Sequence, residues 1–184
     1  ALLQAAYFMD LRTDVIASCC GNLFSASSRS LGAGLSHLPL RLSQAVFFLG
    51  VALALRTGIG FYLTGRNARV YSWCSSALFA VALASIISFI SIYVYQLPTH
   101  HCPFCLLQGG YGYIGYPLYL LLLCAGITGA AVGLIDRFRA TPSIAGVLPR
   151  TQKRLCLTSM ICYTIFTALS SYPVLFSGFS PYSL

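Results

Sequence analysis

Apolar positions along this chain follow neither the alternation of a half-buried strand nor the narrow stripe of a surface helix; they gather into long blocks. Residues 42–64, 70–95, 116–135 and 155–176 are nearly unbroken apolar runs, each close to the ~20 residues that a helix needs to cross a bilayer. Helices are the expected conformation, because lipid offers no partner to an open backbone amide. The opening run 1–9 is apolar but too short to span, and no basic stretch precedes it as one would in a signal peptide. Residues 1–16 are therefore expected to be the end of a span that begins upstream. The predicted fold is all-α, a polytopic transmembrane helix bundle forming a single membrane domain over 1–184, with four full spans plus a partial N-terminal span. Between spans, residues 17–41 are rich in Ser and Gly with Pro39 just before the next run, which predicts an irregular loop or a short interfacial helix. Residues 96–115 form the second long loop.

Composition agrees with lipid as the main solvent: 58% of residues are hydrophobic and 8% charged, against roughly 25% charged in a soluble domain. The net charge of +8 raises nucleic acid as a partner, but the 11 Lys and Arg scatter between apolar runs instead of clustering with aromatics on one face, so no nucleic acid is expected. Their placement speaks to topology instead. Arg66, Arg69, Arg137, Arg139, Arg150, Lys153 and Arg154 fall in two connections on one side, and Arg12, Arg29 and Arg41 on the other. The positive-inside rule assigns the side with seven to the cytoplasm and the loops 17–41 and 96–115 to the opposite side. Arg56 stands inside a span, where a charge is costly; about 15 Å of helix separates it from Arg66, so it is expected to snorkel toward that interface. Gly126, Gly129 and Gly133, at helical spacing, are expected to let a neighbouring helix approach closely.

Candidate chemistry lies in the cysteines. Cys74, Cys124, Cys156 and Cys162 fall in apolar runs, where a thiol acts as a small buried hydrophobe. Cys102-Pro103-Phe104-Cys105 is a C-x-x-C pair just ahead of a span, a spacing that closes a small disulfide ring and favours thiolate on one sulfur. His100 and His101 precede it; protonated they favour thiolate, and neutral they are metal ligands. Leu106 stands where covalent c-type haem attachment needs His, which excludes that reading. Cys19 and Cys20 are adjacent, with alpha carbons about 3.8 Å apart against a lower end of roughly 4.4 Å for ordinary disulfides. A bond between them would be strained and labile, so the two cysteines suit exchange or metal ligation better than a structural staple. With both pairs on one side, the arrangement reads as a relay from external thiols to an acceptor in lipid. A quinone fits that role, since Gln108, Tyr111, Tyr113 and Tyr116, with Tyr119 beyond them, set aromatic surfaces among glycines at the bilayer boundary. Tyrosines at that depth also make an ordinary interfacial belt.

The order of loop cysteines, two spans, C-x-x-C and span resembles vitamin K epoxide reductase and its bacterial homologues, and the DsbB-type disulfide-generating proteins. Locally, Cys102-Pro103-Phe104-Cys105-Leu106-Leu107-Gln108 followed by Tyr116-Pro117-Leu118 is similar to DsbB-type segments. The resemblance is close over 102–118 and topological over 19–135; the vicinal loop cysteines, the longer spacing to Tyr116 and the absence of Arg after Gln108 differ from that pattern. It implies a four-helix bundle around a quinone in a bacterial inner membrane, with Cys105 facing the quinone, Cys102 exchanging with the loop pair, and a thioredoxin-like thiol partner outside. Two other readings use the same residues. Cys19, Cys20, His100, His101, Cys102 and Cys105 could bind a soft metal such as Cu, Zn or Hg in a transporter or metallochaperone, or the paired cysteines could brace the loops of a non-catalytic subunit.

Overall fold

The computed structural model describes residues 39–96, 102–139 and 146–176, and 88% of these are helical, with no strand among them. Among the described residues four helices are long and apolar enough to cross a membrane: α1 (Leu40–Thr64), α2 (Ala68–Tyr95), α3 (Gly115–Asp136) and α4 (Leu148–Phe176). The chain is an integral membrane protein with an all-α fold. The expected partial span in 1–16, the loop as far as residue 38, Cys19, Cys20, His100 and His101 lie outside the described residues.

The helix limits follow local chemistry. Pro39 precedes α1, and its carbonyl accepts from the Ser43 amide. Gly65 ends the helix in the left-handed conformation at φ 68°, a geometry that costs glycine little. α4 begins seven residues before the apolar run that predicted it, so Arg150, Lys153 and Arg154 lie in helix and not in the connection where they were expected. Pro149 stands in the first turn, where its missing amide proton costs no hydrogen bond, and basic side chains extend into the interface while their backbone stays helical.

The helices run alternately up and down, each packed on the next, and α4 returns to α1, which closes the bundle. One end carries the seven cations and Asp136, the only acid among the described residues; the other carries the C-x-x-C turn. Small residues bring α2 and α3 together: a Cβ at Gly126 would stand 2.5 Å from Phe79 Cδ2 and one at Gly133 2.5 Å from Ser72 Cβ, while one at Gly129 would overlap the Ser75 hydroxyl. The three glycines therefore form the close seam that their spacing predicted. Because lipid competes poorly for polar groups, buried hydroxyls of α4 find partners on the two helices of that seam. Ser159 Oγ donates to the Ala125 carbonyl at 2.8 Å and Tyr163 Oη to the Ser75 carbonyl at 2.7 Å. Arg56 is exposed in a surface cleft with Thr64, Arg66 and Asn67, at the end of α1 toward which it was expected to snorkel.

Within α2 the α-helical ladder gives way to a π-helical turn at Ile86–Ile90 before resuming over Ser91–Tyr95. Such turns are frequent at functional sites. This one lies at the C-x-x-C end of the bundle, and its Ile86, Phe89 and Ile90 belong to the same buried cluster as Cys102, Cys105 and Leu106.

Candidate functional site

Cys102 is extended, and Pro103 opens a short 3-10 helix, Pro103–Leu107, that holds Cys105. Proline suits that first position because its φ is already near the helical value. The turn is built into the bundle and does not float above it: Cys102 is 1% exposed, Cys105 7% and Leu106 0%, while Phe104 between the cysteines is 65% exposed.

Two tyrosine hydroxyls hold the turn by its backbone. Tyr95, at the end of α2, donates to the Cys102 carbonyl at 2.7 Å, and Tyr119, in the first turns of α3, donates to the Pro103 carbonyl at 2.8 Å. Each carbonyl would otherwise be buried in apolar surroundings at a cost of about 1–3 kcal/mol. The Tyr95 ring also meets that of Tyr111, with centroids 4.5 Å apart. Gly115 lets α3 start against the turn, since a Cβ there would stand 2.9 Å from the Leu106 carbonyl carbon and oxygen. Downstream, the Gln108 carbonyl accepts from the amides of Tyr111 and Tyr113. Gly112 and Tyr113, both at positive φ, then turn the chain into α3.

Beside the turn a groove of about 700 Å³ opens on the outer face of α2 and α3. Pro103, Phe104 and Leu107 form one wall, Leu83, Ile86 and Ile87 of α2 another, and Tyr116, Tyr119 and Leu123 of α3 the third. Its size is that of a small-molecule site. Exposed Leu83, Leu120 and Leu123 border it, so it is open sideways at bilayer depth. No family model, curated protein or solved structure matches this chain.

Of the residues singled out for an acceptor, Tyr116 and Tyr119 line this groove, whereas Gln108, Tyr111 and Tyr113 do not. Gln108 organises the turn through its backbone, Tyr111 packs on Tyr95, and Tyr113 is exposed against Tyr116, with ring centroids 6.1 Å apart. Neither cysteine lines the groove; Pro103, Phe104 and Leu107 stand there instead. Tyr95 and the π-turn residues Ile86 and Ile87 belong to the site and were not among the sequence candidates. Only the position of Tyr95, last in its span and near the cysteines, hinted at its role. Among the described residues no three His, Cys, Asp or Glu side chains come together as metal ligands, and four of the six soft-metal candidates lie outside those residues.

Proposed function

We propose that the chain is a membrane thiol–disulfide oxidoreductase that relays electrons from a thioredoxin-like partner on the non-cytoplasmic side to a membrane quinone, in the manner of the DsbB-type and vitamin K epoxide reductase families. The observation that carries this reading is a C-x-x-C turn seated in the bundle next to an aromatic-lined groove open to lipid. The groove suits a quinone by size and apolar lining, with Tyr116, Phe104, Leu83 and Ile87 as the residues that would hold a ring and the start of its tail. A bound quinone would supply the two-electron, two-proton sink and leave as hydroquinone.

The chain's own residues carry the exchange. A partner thiolate attacks a disulfide sulfur of the protein, a mixed disulfide forms, and the partner's second thiol resolves it, leaving the partner oxidised and the protein a dithiol. Cys19 and Cys20 would receive these electrons and pass them to Cys102, with Cys105 next to the acceptor. Tyr95 and Tyr119 hold the turn by its backbone, and Pro103, Phe104 and Leu107 of that turn form the groove wall. The membrane would be a bacterial inner membrane, with the seven-cation end in the cytoplasm.

Thiol trapping in native membranes tests this. A mass-tagging maleimide applied to reduced protein before and after addition of a soluble quinone should show Cys102 and Cys105 becoming protected as a reducible disulfide, and Cys105→Ser should abolish that protection. Thiols that stay reduced with quinone, yet react only after a chelator is added, would replace the redox reading with a metal site.

A further inference from the structure

At the basic end, a second hollow of about 780 Å³ lies along the seam between α2 and α3. Arg69 and Arg137 stand at its mouth, Ser72, Ala130, Ala131 and Gly133 keep its floor shallow, and Ile127 and Leu134 border it. Trp73, 78% exposed, flanks it at the level where indoles collect in membrane interfaces. From Arg137 to Ile127 the trough follows about 15 Å of helix toward the bilayer centre. Its upper part is cationic and its lower part apolar, along a surface that faces lipid.

We propose that this trough binds one anionic phospholipid, with the headgroup phosphate between Arg69 and Arg137 and one acyl chain along Ile127, Ala130 and Leu134. Charge complementarity selects the occupant. The end carries seven cations against the single carboxylate of Asp136 among the described residues, and that carboxylate takes Arg69 through Nε at 3.3 Å and Arg139 at 3.7 Å. Arg137 has no ion pair among the described residues. Each guanidinium presents a planar fork of donors that suits phosphate oxygens as well as their charge. A second copy of the chain docking here about a two-fold axis would set Arg69 and Arg137 against their own counterparts, and a free phosphate would leave the apolar trough unused.

Asp136 makes the site tunable. It draws on Arg69, so its neutralisation should strengthen lipid binding while loss of the arginines weakens it. Native mass spectrometry of the full chain, released from mixed bilayers of equimolar phosphatidylglycerol and phosphatidylcholine, reads this directly. The expected result is preferential retention of one phosphatidylglycerol, reduced at least tenfold in Arg69→Gln/Arg137→Gln and increased severalfold in Asp136→Asn. Arg150→Gln/Arg154→Gln, which removes the same charge from the same end, should leave retention unchanged. Ala130→Phe, which fills the trough and keeps both arginines, should also lower it and covers the case in which the double variant does not fold. Equal loss in the Arg150/Arg154 variant, unchanged retention in Ala130→Phe, or full displacement by millimolar inorganic phosphate would each overturn the proposal, the last by reducing the site to an anion contact.

Discussion

Removing one hydroxyl should loosen the C-x-x-C turn by a calculable amount. Cys102 is 1% exposed, so a water-soluble maleimide reaches it only when the turn opens, and opening breaks the 2.7 Å bond from Tyr95 Oη to the Cys102 carbonyl. A net hydrogen bond of this kind is worth about 1 kcal/mol, with a spread of roughly 0.5–1.5, and interhelical bonds in bilayers average about 0.6. Tyr95→Phe keeps the ring and its contact with Tyr111 and removes the donor to the Cys102 carbonyl. When opening and closing are fast relative to labelling, the rate follows the open population, and 1 kcal/mol corresponds to about fivefold faster alkylation, with limits near twofold and about 13-fold. Residue-resolved labelling kinetics on reduced membranes measure it, with Cys156, 0% exposed at the far end of the bundle, as an internal reference. An unchanged Cys102 rate would refute the clamp. An equal acceleration at Cys156 would show that the substitution loosens the whole bundle instead of the turn.

Gly129→Ala should destabilise the bundle by about 1–3 kcal/mol, because its Cβ meets the Ser75 and Ser159 hydroxyls, whereas Gly60→Ala, which meets nothing within 4 Å, should be neutral or stabilising by up to about 1 kcal/mol; thermal unfolding in detergent ranks the two. Cys162 lies beside Cys124 of the neighbouring helix, so mild oxidation should join α3 to α4, and a chain cut by an engineered protease site between them should then stay in one piece on a non-reducing gel. Asp136→Asn should cost no more than about 1 kcal/mol in unfolding, since Arg69 and Arg139, its two partners, are largely exposed.

Sequence pattern sufficed for the four spans because a bilayer imposes one length and one conformation on every apolar run. It placed the start of α4 late, since a hydropathy boundary marks where lipid ends and not where helix ends, and Arg150 to Arg154 remain helical beyond it. The packing role of Gly126, Gly129 and Gly133 was legible from spacing alone. The site was legible only in part. C-x-x-C is a local motif, but its groove is made by residues far apart in the chain, Leu83 to Ile87 on α2 with Tyr116 to Leu123 on α3, and apolar residues at those positions look like any other lipid-facing leucine or isoleucine. Four tyrosines within nine residues also gave no means of telling which would line a groove; Tyr116 and Tyr119 do, while Tyr111 and Tyr113 do not.

If the C-x-x-C turn and the groove beside it act as one site, blocking the groove should cut the cysteines off from a lipid-borne oxidant. Leu123→Trp fills the groove without touching either cysteine. Oxidation of Cys102 and Cys105 by a lipid-soluble quinone should slow at least tenfold in this variant, while oxidation by diamide, which needs no groove, should proceed at the wild-type rate. Quinone-driven oxidation that is as fast in Leu123→Trp as in the wild type would mean that the groove and the cysteines are separate.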